Sequence, residues 1–343
     1  MNKHSIQSFN GDYEQIKPVI SIIVPTFNEE KNVQQLLTSI LTTMGEFDLS
    51  YEVIIIDDGS RDKTCEEVFL FRQSHQQVKL VRLSRNFGKE AALNAGIAHA
   101  TGEAVIQLDA DMQHPPELIA EFIKHWREGF DIVYGERQSR DDEPFITRVL
   151  KKGFYKIFAA LSDVKLMEGL GDFLLMDRKV VDALLSMPER ERFTKGLYAW
   201  VGFSRKPVPF EVRQRENGIS GWSFLKLFSF AISAITSFGT IPLRIWSYIG
   251  LMLAIPSFAF GIWIILKTMV FGIDVPGYAS LMVAVCFFSG IQLFGLGIIG
   301  EYLGRVLTEV KQRPLYLINE KVGFFEPESK STTATVNKEK TLS

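Results

Sequence analysis

The sequence lacks the phosphate-binding and hydrolytic signatures of the common nucleotide and hydrolase folds. It has no G-x-x-x-x-G-K-[ST] segment, which excludes a P-loop nucleotidase. No G-x-G-x-x-G follows the first predicted strand, which argues against a dinucleotide site of the usual kind. G-x-S-x-G and H-E-x-x-H are also missing, so the sequence indicates neither a nucleophile elbow nor a zincin helix.

The chain also has few cysteines and little net charge. Cys65 and Cys286 are the two cysteines in 343 residues, too few for a disulfide framework or a zinc site. The formal net charge is −2, so composition gives no indication of a nucleic-acid partner. The N-terminal segment, MNKHSIQSFNGDYEQIK, has no apolar stretch, and we expect no cleavable signal peptide.

Charged residues are absent from two long stretches near the C-terminus. Residues 245–266 and 275–300 contain none, and each stretch exceeds the roughly 20 residues that a membrane-spanning helix needs. A short loop joins them, which predicts a transmembrane hairpin. The basic residues outside that loop are Arg244, Arg305, Lys311 and Arg313, against Lys267 within it. The positive-inside rule therefore places both termini and the soluble part in the cytoplasm.

Residues 19–137 alternate between β-branched apolar runs and segments with helical spacing. The predicted strands are 19–27, 51–60, 78–84, 103–111 and 130–137. This alternation predicts an α/β fold with a mostly parallel sheet and helices on both faces. Because ligands bind beyond the carboxyl ends of parallel strands, we expect a site where segments 25–30, 57–58 and 109–113 converge.

Two of these acids, Asp109 and Asp111, stand one residue apart in IQLDADMQHPP, where an apolar run ends. Like charges at that separation repel, and each carboxylate costs free energy to desolvate, so a cation is expected between them. Residues i and i+2 of a strand project to the same side, and two carboxylates so placed suit Mg²⁺ or Mn²⁺. The alternative is that Asp111 or His114 caps the helix expected from Pro115 and Pro116.

A metal-bound diphosphate without a P-loop indicates a nucleotide-sugar donor. The cation would neutralise the departing nucleoside diphosphate. Asp57 and Asp58 would then face the nucleoside, because carboxylates accept hydrogen bonds from base N–H groups and ribose hydroxyls.

At this point the chain resembles the inverting family 2 glycosyltransferases, which have the GT-A fold. The resemblance rests on IIVPTFNEE, EVIIIDDGSRDKT, LSRNFGKEAALNAGIAHATGEAVIQLDADMQHPPELI and GDFLLMDRKVVDALLSMPERERFTKG. More narrowly, the chain resembles the polyprenyl-phosphate glycosyltransferases: bactoprenol glucosyltransferases of the GtrB type and dolichol-phosphate mannose synthases. ITSFGTIPLRIWSYIG, the two spans and GEYLGRVLTEVKQRPLYLI extend the similarity, which covers about residues 18–322.

The resemblance implies a role for each matching residue. The implied donor-binding residues are Pro25, Phe27, Glu29, Asp57, Asp58, Lys89, Asp109, Ala110 and Arg137. The implied metal ligands are Asp109, Asp111 and Gln113, and the implied catalytic residues are Asp111 and Asp172. The implied acceptor-phosphate residues are Arg213, Arg215 and Ser220. Simpler alternatives remain open: Lys89 and the two arginines as solvated surface residues, and Asp172 as a helix cap.

Two positions depart from the family pattern. Leu174 stands where an arginine usually follows the aspartate of D-F-R, and Gly221 replaces the lysine of G-x-S-K-Y. The second departure leaves the lysine that grips the acceptor phosphate unassigned. Lys226, one helical turn later, is a candidate replacement.

The activity implied by the resemblance is transfer of one sugar from a nucleotide donor, UDP-glucose first, to undecaprenyl phosphate with inversion. UDP-GlcNAc, GDP-mannose or a modified sugar are open alternatives for the donor. A processive glycan synthase is disfavoured because Q-x-x-R-W is missing, and a non-catalytic scaffold is disfavoured by the intact acids. Implied partners are the bilayer of the bacterial inner membrane, a homo-oligomer such as a tetramer, a flippase and a second glycosyltransferase, with no nucleic acid.

The expected organisation has six parts. They are a flexible N-terminus (1–18), a cytoplasmic GT-A domain (19–221), interfacial amphipathic helices (222–243), two transmembrane helices (244–303), a cytoplasmic segment (304–326) and a disordered tail (327–343). A second interfacial helix is expected at 148–164, where basic and aromatic residues interleave.

Overall fold

The computed structural model describes residues 17–137, 170–187, 189–190, 194–210, 241–271 and 277–324. The predictions for Arg213, Arg215 and Ser220, for the helix at 148–164 and for nearly all of 222–243 fall outside these residues.

Eight strands form one mixed sheet in the order β7-β5-β6-β4-β1-β2-β3-β8. They are β1 Ile20–Thr26, β2 Tyr51–Asp57, β3 Val78–Leu83, β4 Ala104–Gln107, β5 Ile132–Arg137, β6 Leu170–Asp177, β7 Arg205–Phe210 and β8 Ile318–Val322. The pairs β1–β2, β1–β4, β2–β3 and β5–β7 are parallel. The pairs β4–β6, β5–β6 and β3–β8 are antiparallel. The expected α/β fold with a mostly parallel central sheet is confirmed.

Helices cover both faces of this sheet. Those of the soluble part are α1 Val33–Met44, α2 Thr64–Ser74, α3 Lys89–His99, α4 Leu118–Arg127, α5 Arg178–Ser186 and α6 Thr194–Trp200. Residues of α1, α2 and α4 join one apolar cluster and those of α3, α5 and α6 join another. Successive strand residues alternate between the two clusters, as Ile22 and Ile23 do, because side chains of a strand point to opposite faces. Burial on both faces explains the continuous apolar runs of the central strands.

The structure corrects the predicted elements at two places. Strand β4 ends at Gln107, so Asp109 and Asp111 lie in the loop after it and the alternation rule for strands does not place them. Strand β8, which comes after the long C-terminal helices, pairs antiparallel with β3 at the edge of the sheet. The predicted C-terminal segment 304–326 therefore contributes a strand to the sheet of the soluble part.

Two long helices precede β8: α7 Ile241–Phe271 and α8 Tyr278–Lys311. Among the described residues, the segment Phe287–Lys311 is long and apolar enough to cross a membrane, judged by length and composition. The helices approach closely, since the ring centroids of Trp246 and Phe294 are 5.3 Å apart. A Cβ on Gly295 would collide with the Trp246 ring, so this approach requires glycine.

Candidate active site

A cleft of about 340 Å³ opens at the carboxyl ends of the central parallel strands. The loops after β1, β2 and β4 and the start of α3 form its walls. Its lining residues are Pro25, Thr26, Phe27, Glu29, Asp58, Asn86, Gly88, Lys89, Ala92, Asp109, Ala110 and Asp111. Most of the residues assigned to the donor by resemblance therefore share one cavity. Thr26 belongs to the predicted segment 25–30, whereas Asn86, Gly88 and Ala92 were not predicted to line the site.

The backbone of two wall loops adopts a conformation that side chains rarely tolerate. Asn28, after β1, has φ 56°, and Met112, between the two acids and the helix that follows, has φ 58°. A left-handed residue other than glycine costs about 1–2 kcal/mol, which the surrounding structure must offset. Met112 is the rarer case, because asparagine visits this region readily and methionine does not. The strain turns the chain sharply beside Asp111.

Asp58 fixes the part of the cleft wall that precedes helix α3. Its carboxylate accepts hydrogen bonds from the backbone N–H groups of Phe87 (2.7 Å) and Gly88 (2.9 Å). Gly59 makes the approach possible: its φ is +72°, and a Cβ there would lie 2.5 Å from the carbonyl carbon of Arg85. Burial raises the pKa of Asp58, and the two N–H donors offset part of that rise.

Asp57 does not share the cleft with its neighbour. It is fully buried, accepts a hydrogen bond from the Ser60 backbone N–H (3.2 Å) and lies 3.5 Å from the Arg82 guanidinium. Consecutive residues at the end of a strand point to opposite sides, so only one acid of the pair can face the cavity. The expectation that both would contact the donor is corrected to Asp58 alone.

Asp109 and Asp172 meet because β6 runs antiparallel to β4. Gln107 pairs with Leu174, and continuing that register by two residues brings Asp109 opposite Asp172. The Lys89 ammonium lies between them, 2.7 Å from Asp109 Oδ1 and 2.6 Å from Asp172 Oδ2. Lys89 therefore lines the cleft and pairs with two carboxylates, whereas its alternative interpretation was a solvated lysine on the helix surface.

A second lysine, Lys195, reaches the other oxygen of Asp172. Its ammonium lies 3.4 Å from Asp172 Oδ1. Helix α6, which carries Lys195, is anchored by the Thr194 hydroxyl, which donates to Glu90 beside Lys89. The sequence assigned Lys195 no role; its position within ERFTKG is the one signal that pointed to this segment.

The two lysines fix the charge of Asp172. Burial alone would raise its pKa, but Lys195 and Lys89 lower the pKa of Asp172 to about 2. In turn, burial alone would lower the pKa of Lys89, while Asp109 and Asp172 raise it. Asp172 and Lys89 are therefore both charged at neutral pH, and Asp172 is far too weak a base to remove a proton.

His114 joins the two acids of the D-x-D pair. One ligand atom from each of Asp109, Asp111 and His114 lies within 4.8 Å of the others. The His114 Nδ1 atom is buried and, among the described residues, has no hydrogen-bond partner. Burial lowers the pKa of His114, which favours the neutral, ligating imidazole, and burial raises the pKa of Asp109. A half-buried carboxylate pair beside an imidazole nitrogen without a hydrogen-bond partner fits a divalent cation.

This arrangement removes the capping alternative for Asp111 and His114. Helix α4 begins at Leu118, with Glu117 at its N-cap position and no side-chain cap hydrogen bond. Gln113, the expected third ligand, donates its backbone N–H to Asp111 Oδ1 (3.2 Å), and a ligand role for its side chain stays a prediction.

Arg137 and Leu174 are two further positions that the sequence analysis singled out. Arg137 is the last residue of β5, in register with Phe210, and its side chain lies outside the described atoms. Leu174, where the family pattern has an arginine, is fully buried in the same apolar cluster as Leu197 and Tyr198 of α6. No cation therefore comes to Asp172 from its own strand at position 174.

Comparisons with known proteins agree with this geometry. Residues 21–185 match the Glycosyl transferase family 2 family, and residues 241–306 match the GtrB C-terminal hairpin. An uncharacterized glycosyltransferase of Synechocystis is 49% identical, over 88% of this chain and 95% of its own length. A prophage-derived bactoprenol glucosyl transferase of Shigella flexneri is 42% identical, over 88% of this chain and 97% of its own length.

A third relative and one solved structure complete the comparison. A prophage bactoprenol glucosyl transferase homolog of Escherichia coli is 43% identical, over 87% of this chain and 98% of its own. A mannosyltransferase of Pyrobaculum calidifontis, solved with GDP-Man and Mn²⁺, aligns more loosely. Its TM-score is 0.43 at 17% identity, with 87% of each chain covered.

Proposed function

Because the chain belongs to glycosyl transferase family 2, we propose that it transfers one glucose from UDP-glucose to polyprenyl phosphate, with undecaprenyl phosphate as the natural acceptor. The observation that carries the proposal is the acid pair Asp109 and Asp111 on the wall of a nucleotide-sized cleft, with Asp172 joined to Asp109 through Lys89. The relatives named bactoprenol glucosyl transferases, similar over nearly their whole length, support the choice of acceptor.

On the donor side, the nucleoside would lie between Phe27, Glu29 and Asp58. Phe27 is 43% exposed at the cleft and offers an aromatic face for stacking on a base. Lys89 would contact the diphosphate, since its ammonium already lies beside Asp109. Pro25 and Ala110 complete the lining.

Asp109, Asp111 and His114 would hold Mg²⁺ or Mn²⁺, with Gln113 as a further candidate. When bound, the ion supplies positive charge that stabilises the departing diphosphate. The three carboxylates of the cluster and the two lysines leave one net negative charge, which attracts a divalent cation. With the ion in place the sum becomes positive, which attracts the two phosphate-bearing substrates.

The transfer step needs no proton removal. An oxygen of the acceptor phosphate, already ionised at neutral pH, attacks the anomeric carbon on the face opposite the leaving group. The new C–O bond forms as the bond to the diphosphate oxygen breaks, and the electron pair leaves with UDP, which inverts the configuration. The protein supplies position and charge, consistent with a low-pKa Asp172 that remains a carboxylate throughout.

The C-terminal helices would hold the enzyme at the membrane. We propose two spans, with both termini and the catalytic domain on the cytoplasmic side of the bacterial inner membrane, where the lipid keeps its chain in the bilayer. The lipid-linked glucose would then serve a flippase and a second glycosyltransferase that modify surface polysaccharide. A homo-oligomer, such as a tetramer, is compatible with the small residues of α8.

Product analysis tests this function directly. Membranes containing the protein are incubated with undecaprenyl phosphate and a panel of radiolabelled nucleotide sugars, and the lipids are extracted. We expect a single-sugar lipid from UDP-glucose that EDTA prevents. A preference for another labelled sugar would change the donor, whereas a long polymer or no labelled lipid from any donor would contradict the proposal.

A further inference from the structure

The reaction brings two anionic groups together, and the described part of the site has two lysines beside one carboxylate. The Lys89 ammonium lies 2.6 Å from Asp172 Oδ2, and the Lys195 ammonium lies 3.4 Å from Asp172 Oδ1. A carboxylate with a lysine ammonium beside each of its two oxygens is best explained by what it holds. Asp172 is a positioning residue that fixes two ammonium groups.

The two lysines face different parts of the site. Lys89 lines the donor cleft and contacts Asp109, one of the candidate metal ligands. Lys195 is not among the residues that line the cleft; it approaches Asp172 from helix α6 and pairs with the carboxylate oxygen that Lys89 does not contact. Its side chain is 40% exposed, so its ammonium can bind a ligand from solvent while keeping its ion pair.

The segment that carries Lys195 also reaches the end of the long C-terminal helix. The Arg190 backbone N–H donates to Glu309 Oε1 (2.8 Å), and the Arg190 guanidinium donates to the carbonyl of Arg313. Arg190 and Lys195 are five positions apart, a span of at most about 17 Å along an extended chain. Lys195 therefore lies within about 17 Å of a residue that contacts the end of α8.

From these three observations we infer that Lys195 binds the phosphate of the lipid acceptor, held in place by Asp172. This inference rests on the proposed function for the identity of that phosphate. It also supplies a cation where Leu174 and Gly221 provide none. An ammonium ion is a compact donor that binds a phosphate oxygen without requiring planar geometry.

Initial rates of the full-length enzyme, with each substrate varied in turn, test the inference. For Lys195→Ala we expect the KM for undecaprenyl phosphate to rise about tenfold or more, with the KM for UDP-glucose within about twofold of the wild type. Lys195→Arg, which keeps the charge, should recover most of the acceptor affinity. An unchanged acceptor KM, or an equal rise for both substrates, would overturn the inference.

The matched control is Lys179→Ala. Lys179 is also an exposed lysine in an ion pair with an aspartate, Asp131, but that pair lies at the opposite end of the sheet. We expect both KM values to stay at the wild-type level in this variant. Equal thermal unfolding midpoints for the two alanine variants exclude a folding defect as the cause of a difference.

A binding measurement separates this inference from the proposed reaction. Radiolabelled undecaprenyl phosphate in detergent micelles is titrated onto the metal-free protein, without donor. If the wild type binds this lipid and Lys195→Ala binds it about tenfold more weakly, Lys195 is the acceptor residue even where no sugar is transferred. If the two proteins bind it equally, or neither binds it, the inference is wrong.

Discussion

The carboxylates at the two ends of the central sheet have different environments. At the amino end, Glu52 is 2% exposed and accepts hydrogen bonds from Ser21 Oγ (2.5 Å), Lys79 Nζ (2.5 Å) and both the backbone N–H and hydroxyl of Thr101 (2.8 Å each). At the carboxyl end, Asp109, Asp111 and Asp172 lie together with an excess of negative charge. Glu52 is fully satisfied by the protein and Asp172 is paired with two lysines, whereas Asp109 and Asp111 are arranged to bind a cation.

The difference separates a structural from a functional buried charge. Burial alone would raise the pKa of Glu52, but the hydrogen bonds from Lys79, Ser21 and Thr101 hold it below its usual value. At the other end burial raises the pKa of Asp109, which signals a carboxylate whose charge the protein does not fully compensate. We therefore expect substitutions at the amino end to change stability, and those at the carboxyl end to change activity.

The largest expected effect is the loss of activity in Asp111→Ala. Removing one acid of the candidate metal site should lower lipid-linked sugar formation about a thousandfold. The thermal unfolding midpoint should stay within about 2 °C of the wild type or rise, because one of several repelling charges is gone. Full activity of this variant in the presence of EDTA would refute the metal role.

The reciprocal effect is a loss of stability in Glu52→Gln. A glutamine presents an amide N–H₂ where Glu52 now accepts hydrogen bonds, so one buried donor loses its partner. We expect a cost of about 2 kcal/mol, or about 4–8 °C in the unfolding midpoint measured by intrinsic fluorescence. Activity per folded molecule should remain at the wild-type level. An active-site defect without a stability defect would break the comparison between the two ends.

Asp58→Ala tests a residue that we expect to affect both the local structure and the binding of substrate. It loses two hydrogen bonds that hold the wall at Phe87 and Gly88, and it loses a carboxylate facing the nucleoside. We expect UDP to bind about tenfold more weakly in calorimetric titration with Mn²⁺. The matched control is Asp57→Asn, because Asp57 is the neighbouring acid and lies outside the cleft; this variant should leave UDP affinity unchanged. Equal losses in both variants would count against the assignment of Asp58.

The smallest expected effect is a pH dependence of stability that belongs to Glu52. Its pKa is lower in the folded protein than the unfolded value of about 4.3, so its contribution is complete above that pH. The contribution is lost as pH falls through the folded pKa. The difference in unfolding midpoint between wild type and Glu52→Gln should therefore shrink below about pH 4. A difference that stays constant to pH 3 would show that ionisation of Glu52 is not what stabilises this end.

The parallel core and the location of the site could be predicted from the sequence. The β-branched runs predicted strands β1 to β5. Because ligands bind at the carboxyl ends of parallel strands, the same pattern predicted that Asp58, Asp109 and Asp111 would line one cleft, as they do. These predictions depend on local patterns of apolar residues, which the central strands carry strongly because both faces are buried.

The remaining features depend on tertiary pairing, which has no local signal. Strand β8 reads INEKV, a short and partly charged edge strand whose pairing with β3 follows only from the path of the C-terminal helices. Lys195 stands at the start of a seven-residue helix, and only the antiparallel β6 brings Asp172 to it. His114 was considered only as an alternative helix cap, because the start of α4 was expected three residues too early, at Pro115.

The most direct measurement is calorimetric titration of UDP into the full-length protein, with Mn²⁺ and then with EDTA. Our account predicts that the wild type and Glu52→Gln bind UDP with equal affinity when Mn²⁺ is present, and that binding is lost in EDTA and in Asp111→Ala. UDP binding that neither EDTA nor the loss of Asp111 weakens would contradict the claim that the acids at the carboxyl end form a metal–nucleotide site.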